Sequence, residues 1–256
     1  MKIRIISSGS KGNCTYVELG TAKILIDIGI SFSQVKKSLE QIDVSIYQID
    51  MILITHSHKD HIKGLSVLLK NVPNILVITT KDVYQDLTHN FNYRFDNFLD
   101  ALEVNSQLGF SIQVIKTSHD VPSCGYVISD GESNMVYITD TGYLNRKYFN
   151  QLKNKTVYIF ESNYDDKMLM EGPYPFVLKQ RILSDKGHLS NTVSAKILSK
   201  VVGNKTKYIY LAHISEHNNT KEIALETAKQ YLKDTDFDVN NIIITEQGVS
   251  LDMVEI

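Results

Sequence analysis

Short apolar runs alternate along the chain with longer stretches in which apolar positions recur at helical spacing. Runs rich in Ile, Val, Leu and Tyr predict strands over residues 2–7, 15–19, 22–27, 51–55, 75–79, 110–116, 125–129, 135–139, 156–160, 208–212 and 241–245. Several of these are continuous apolar runs, as expected of strands covered on both faces. Glu18-Leu19-Gly20-Thr21 and Ser129-Asp130-Gly131-Glu132 read instead as short turns between antiparallel strands. Helices are expected over 32–42, 61–71, 81–87, 145–152, 190–202 and 221–232. In the fifth, Val193, Ile197, Leu198 and Val201 recur at helical spacing behind Ser190, a plausible N-cap. Mixed sheets with helices outside predict a layered α/β sandwich. No Pro/Gly/Ser-rich linker divides the chain, so a single domain over 1–256 is expected, with 101–130 a β-rich stretch inside it. The strand ends Ile26-Asp27-Ile28-Gly29 and Thr139-Asp140-Thr141-Gly142 share a signature that hints at two related halves.

Polar residues with ligand chemistry stand where strands stop. Asp27 follows Ile24-Leu25-Ile26, and His56 follows Met51-Ile52-Leu53-Ile54-Thr55. His119, Asp140, Glu161 and His213 end four further apolar runs. In α/β sheets such ends converge on one crevice. The densest cluster is His56-Ser57-His58-Lys59-Asp60-His61. In an extended segment His56 and His58 point to the same side, so both imidazoles can hold one metal. Asp60 and His61 then open a helix and can face a second metal. Three imidazoles and a carboxylate suit zinc, manganese or iron better than calcium or magnesium. A solvated polar turn before a helix is the plainer alternative, and the spacing at the end of an apolar strand argues against it.

His56-Ser57-His58-Lys59-Asp60-His61 resembles the hallmark of the metallo-β-lactamase superfamily. The resemblance implies a four-layer αββα sandwich and two divalent metal ions. It implies that His56, His58 and His119 hold the first metal, that Asp60, His61 and His213 hold the second, and that Asp140 bridges them. Asp27 would order the loop that carries the histidines. Ser8-Gly9-Ser10-Lys11-Gly12-Asn13, Thr139-Asp140-Thr141-Gly142-Tyr143, Phe160-Glu161-Ser162-Asn163-Tyr164-Asp165, Gly187-His188-Leu189-Ser190-Asn191 and Leu211-Ala212-His213-Ile214-Ser215 narrow the resemblance to the WalJ/YycJ-type exonucleases. That family is cytoplasmic, bacterial and associated with 5′-to-3′ exonuclease activity on DNA.

His213 and His188 compete for the last ligand position. His213 ends an apolar strand as the other ligands do, so it is assigned to metal. His188, in a loop before the Ser190 helix start, is assigned to substrate. Asp60 and His188 are the candidate catalytic residues. Lys11, between glycines, is a candidate phosphate contact with a plain turn as its other reading, and Asn13, Asn163 and Ser190 are candidate substrate contacts. His217 reads as solvated, and His89 as a cation suited to a helix C-terminus. The chemistry of Glu161-Ser162-Asn163 is left open.

The expected mechanism is phosphodiester hydrolysis by a hydroxide shared between two metals, with His188 binding the phosphate or protonating the leaving alkoxide. The net charge of −2 lacks the basic footprint of a nucleic-acid binder, so a local patch or the metals must attract a polymer. A small-molecule phosphodiesterase and an RNA-processing nuclease therefore stay as alternatives. A non-catalytic metal-binding module is a further one, weakened because all seven expected ligand positions are filled. A β-lactamase or a glyoxalase-type hydrolase fits less well, since Asp140 supplies a bridging carboxylate and the Gly-His-Leu-Ser loop suits phosphate. Two well-separated cysteines, Cys14 and Cys124, form no disulfide framework, and the first residues lack a signal-peptide pattern. A soluble cytoplasmic protein with reduced thiols is expected.

Overall fold

β-Branched and aromatic runs form strands here because their side chains pack on a pleated surface that both faces cover. The computed structural model describes residues 1–104 and 108–256. The expected β-rich stretch over 101–130 therefore includes three residues outside the described ones. In chain order the strands are β1 (Lys2–Ser7), β2 (Cys14–Leu19), β3 (Ala22–Ile26), β4 (Met51–Leu53), β5 (Leu76–Thr79), β6 (Phe98–Asp100), β7 (Ser111–Lys116), β8 (Cys124–Ser129), β9 (Asn134–Ile138), β10 (Val157–Glu161), β11 (Tyr208–Ala212), β12 (Ile242–Ile244) and β13 (Val254–Glu255). The α-helices are α1 (Phe32–Glu40), α2 (Lys59–Ile62), α3 (Leu65–Asn71), α4 (Lys81–Phe91), α5 (Phe149–Leu152), α6 (Asp166–Glu171), α7 (Phe176–Leu183), α8 (Asn191–Val201) and α9 (Lys221–Leu232).

The chain gathers into two compact units, one of Met1–Val114, Val121–Cys124 and Gln247–Ile256, the other of Ile115–Asp120 and Gly125–Glu246. The first is built on a seven-stranded sheet in the order β13-β1-β2-β3-β4-β5-β6. β13, β1, β2 and β3 pair antiparallel, and β3, β4, β5 and β6 pair parallel. Ile24, Leu25, Ile26, Ile52 and Leu53 are fully buried, which explains the unbroken apolar runs. α1 turns Val35 and Leu39 into this core, each burial stabilising by about 2 kcal/mol. A capping box between Ser31 and Gln34 starts that helix.

The second unit is built on a six-stranded sheet in the order β12-β11-β10-β9-β8-β7. β9, β10, β11 and β12 run parallel, and β8 joins β9 antiparallel. Its core joins Val136, Ile138, Tyr158 and Phe160 of the sheet to Leu198 and Val201 of α8 and Ala224 and Leu232 of α9. The Ser190 side chain accepts from the Val193 N–H and caps α8.

Three expectations are corrected. The helix expected over 61–71 is two helices, broken at Gly64, whose N–H donates to the Ile28 carbonyl at 2.8 Å instead of back along the helix. A side chain there would strike the Ile30 carbonyl oxygen at 2.5 Å and Ile28 at 2.8 Å, so the turn presses on the Ile28–Ile30 backbone. The helix expected over 81–87 continues to Phe91, where Asn92 at φ 54 ends it with a left-handed cap. β6, β13, α6 and α7 had no counterpart in the pattern. The two strands are only three and two residues long. α7 starts at Pro175 without a side-chain cap and leaves Phe176 and Val177 exposed, so it carries little helical signal.

Candidate metal centre

In the first unit the histidine cluster begins three residues after the C-terminal end of β4 and runs into α2. Parallel strands leave their C-terminal ends open to loops, which brings the end of β3 beside the end of β4. Asp27, one residue past β3, takes φ 57. The left-handed turn folds its carboxylate inward, where it is fully buried. Its Oδ1 accepts the Thr55 N–H at 2.9 Å, and its Oδ2 accepts the Thr55 hydroxyl at 2.8 Å. The His61 Nδ1 lies 2.7 Å from the same Oδ2. Burial pushes the Asp27 carboxyl up from its ordinary value, and His61 and the Thr55 bonds pull it back. Because the Asp27 carboxylate accepts, Nδ1 of His61 carries the proton, and the Nε2 lone pair, which faces the Asn13 amide nitrogen at 2.9 Å, is the atom left to ligate a metal. The His56 ring centroid lies 4.0 Å from that of His61 and 4.8 Å from that of His58. Asp60 is in the same turn, 3.8 Å from His61 Nε2, with its side chain 23% exposed.

One residue read as a substrate contact belongs elsewhere. Asn13 is fully buried: its amide accepts from the Gly9 N–H at 2.8 Å, donates to the Gly9 carbonyl at 3.0 Å, and lies 2.9 Å from His61 Nε2. It braces the Gly9 loop against His61 and has no surface for substrate. Lys11 is exposed, and its backbone N–H donates to Gln247 Oε1 at 2.9 Å, so the turn around it is tied down. Gly29 is required by contact, since a Cβ there would lie 1.6 Å from the Asp60 carbonyl oxygen.

The second unit repeats this plan. Asp140 and His213 follow β9 and β11 at φ 53 and φ 56, again in the left-handed region. Glu161 ends β10 fully buried; its Oε2 accepts the Thr141 N–H at 2.9 Å, and Nδ1 of His188 lies 2.6 Å from Oε1. His188 stacks on His213 at 5.3 Å between centroids and lies 5.6 Å from His119. His213 Nε2 is 3.4 Å from Asp140 Oδ1. The Asn163 amide donates to the His213 carbonyl at 2.8 Å and lies 2.9 Å from its Nδ1. Asn163 therefore orients a histidine, and Ser190 is a buried helix cap; neither is open to substrate. Gly142 matches Gly29, because a Cβ there would meet the Ser184 carbonyl oxygen at 2.2 Å and the Gly187 nitrogen at 2.6 Å. In both units a glycine two residues after the aspartate lets a histidine-bearing loop close on the strand end.

His119 is buried between β7 and β8, with Nε2 3.5 Å from Asp120. His217 is exposed beside Tyr174, His89 lies in the last turn of α4, and Cys14 and Cys124 are free thiols in the interior, as read. Sequence reading left Glu161 without a role, although it ends an apolar strand as the ligands do.

The donor sets fit divalent metal. Asp140, Glu161, His188 and His213 bring one atom of ligand type each within 4.8 Å of one another, and of these Asp140 and His213 are the expected ligands. Imidazole nitrogens and carboxylates together are the donors of zinc and of other first-row ions. No helix among the described residues is long and apolar enough to cross a membrane.

Residues 22–214 match the family model of the beta-lactamase superfamily domain. The chain is 34% identical over 247 residues to exodeoxyribonuclease YycJ of Bacillus anthracis, covering 92% of this chain and 90% of that protein. It is 35% identical over 250 residues to exodeoxyribonuclease WalJ of Streptococcus pneumoniae, covering 93% and 90%. Among solved structures the metallo-beta-lactamase fold protein YhfI from Bacillus subtilis superposes with a TM-score of 0.73 at 18% identity over 98% of both chains, which shows the shared fold. With its two mixed sheets, the strand-end histidines and carboxylates, and these full-length relatives, the chain belongs to the metallo-β-lactamase superfamily, in the family of the YycJ and WalJ proteins.

Proposed function

We propose that this protein is a metal-dependent exonuclease that degrades DNA from the 5′ end. The observation that carries this reading is the likeness to two exodeoxyribonucleases over nine-tenths of their length. The family-matched residues 22–214 include every proposed ligand. From the family resemblance, His56, His58 and His119 would hold one ion and Asp60, His61 and His213 the other, with Asp140 as the shared carboxylate. Two zinc or manganese ions, with iron as a further option, would supply Lewis acidity and ionise water near neutral pH.

The chain's own groups do the rest. Asp27 keeps the His61 proton on Nδ1 and so keeps Nε2 available as a donor. Glu161 accepts from Nδ1 of His188 and fixes the ring, and its charge supports the imidazolium form, whose Nε2–H binds the phosphate and passes its proton to the leaving alkoxide, leaving the neutral ring. The Asn163 amide nitrogen, which donates to the His213 carbonyl and lies 2.9 Å from its Nδ1, holds that ring in place from the donor side. Two buried free thiols accord with a cytoplasmic setting.

The net charge of −2 favours a second reading, a phosphodiesterase of small cyclic or linear diesters. End-labelled single-stranded and duplex DNA, incubated with metal-loaded protein, separates the two. Shortening from the 5′ end that chelator and His58→Ala abolish is the expected result. Intact DNA alongside cleavage of bis(p-nitrophenyl) phosphate would transfer the function to small diesters.

A further inference from the structure

A shallow pocket of about 170 Å³ lies in the second unit, lined by Lys116, Thr117, Ser118, Tyr143, Asn145, Lys147 and Tyr148. Its two walls are the segments that carry His119 and Asp140. They are joined where the Ser118 N–H donates to the Thr141 hydroxyl at 3.0 Å and the Gly142 N–H donates to the Ser118 carbonyl at 3.0 Å. The Thr141 hydroxyl in turn donates to the Tyr143 carbonyl at 2.8 Å, so the backbone under Tyr143 is held while the residue is 48% exposed. The exposed Tyr143 side chain lines this pocket and offers a flat face on which a planar ring can stack. Lys147 Nζ lies 4.9 Å from the Tyr148 ring centre, and Lys116 lines the same pocket from the other wall. The cavity is too small for a drug-sized ligand and suits one planar ring with an adjoining anion.

Resting on the nuclease reading above, we propose that this pocket holds one nucleotide of single-stranded DNA, its base stacked on Tyr143 and its phosphate between Lys116 and Lys147. Aromatic stacking with paired cations binds single strands without reading sequence. It also supplies the local basic patch that the chain's near-neutral total charge calls for.

The test uses the metal-loaded full-length protein and a labelled phosphorothioate oligothymidylate, which resists cleavage, with fluorescence anisotropy read across a salt series. Tyr143→Ala weakens binding about tenfold, and Tyr143→Phe, which keeps the stacking face, restores it. The double variant Lys116→Gln with Lys147→Gln lowers the slope of log affinity against log salt by roughly 1. Hydrolysis of bis(p-nitrophenyl) phosphate stays at the parent rate in all three. The proposal is overturned if the oligonucleotide binds the alanine and glutamine variants as it binds the parent, if the parent does not bind it, or if small-diester hydrolysis falls in step. A parent protein that binds the oligonucleotide through these residues yet leaves ordinary DNA intact would overturn the exonuclease reading while the subsite stands.

Discussion

Nδ1 of His188 lies 2.6 Å from Oε1 of Glu161, a carboxylate with no exposure to solvent. The relationship repeats in the first unit, where Nδ1 of His61 lies 2.7 Å from Oδ2 of the equally buried Asp27. Each carboxylate is anchored by a threonine backbone N–H, that of Thr141 for Glu161 and that of Thr55 for Asp27. A buried carboxylate with a fixed acceptor geometry sets both the ring orientation and the tautomer of its histidine.

If His188 acts on the leaving group, its loss costs turnover and leaves metal in place. His188→Ala is expected to lower kcat by ~10²–10⁴-fold, the usual contribution of a general acid. Glu161→Gln should lower it by a smaller factor, since the ring stays in place without the charge. Metal content by atomic emission stays at the parent value in both. One ion missing from His188→Ala would make this residue a ligand instead.

Asp27→Asn removes a charge at a position whose left-handed backbone asparagine tolerates. The His61 Nδ1–H and the Thr55 hydroxyl lose their acceptor inside the core. The expected cost is ~2–3 kcal/mol of stability, with metal affinity reduced by roughly 10–100-fold as His61 loses its orientation. Calorimetry and a competitive chelator titration read the two effects. Parent metal affinity in the variant would show that Asp27 acts on folding alone.

Gly29→Ala places a methyl group 1.6 Å from the Asp60 carbonyl oxygen, so the turn carrying Asp60 and His61 must move. We expect loss of metal and of hydrolysis in any protein that still folds. Gly20→Ala is the control: it meets nothing within 4 Å at φ 58, so only the ~1 kcal/mol of a left-handed alanine is expected. If a folded Gly29→Ala protein binds metal as well as Gly20→Ala does, the close approach has no functional meaning.

Burial pushes the Tyr158 hydroxyl from 10.0 up to about 12, while its O–H donates to the carbonyls of Leu152 and Val201. The folded form therefore keeps its proton where the unfolded form gives it up. The contribution to stability is full below pH ~10 and is lost as pH rises towards ~12, by about 2–3 kcal/mol. Urea midpoints measured over that window should fall more steeply for the parent than for Tyr158→Phe, which has no proton to lose. Equal slopes would remove Tyr158 as the cause.

The positions of the strands, the class of the fold and the residues with ligand chemistry were legible because they depend on local properties. Apolar runs mark Ile24–Ile26, Val157–Phe160 and Ile209–Ala212 as covered strands, and a polar residue directly after each run stands out against it. What Glu161, Asn163 and Asn13 do was not legible, because each acts through a partner 27 or more residues away. The same holds for Gly64 and Gly29, whose need is set by backbone atoms of distant loops and not by their neighbours in sequence. Local sequence thus determined which groups exist and at which strand ends. Tertiary packing alone decided which carboxylate faces which imidazole, since a hydrogen bond depends on tenths of an ångström that no linear pattern encodes.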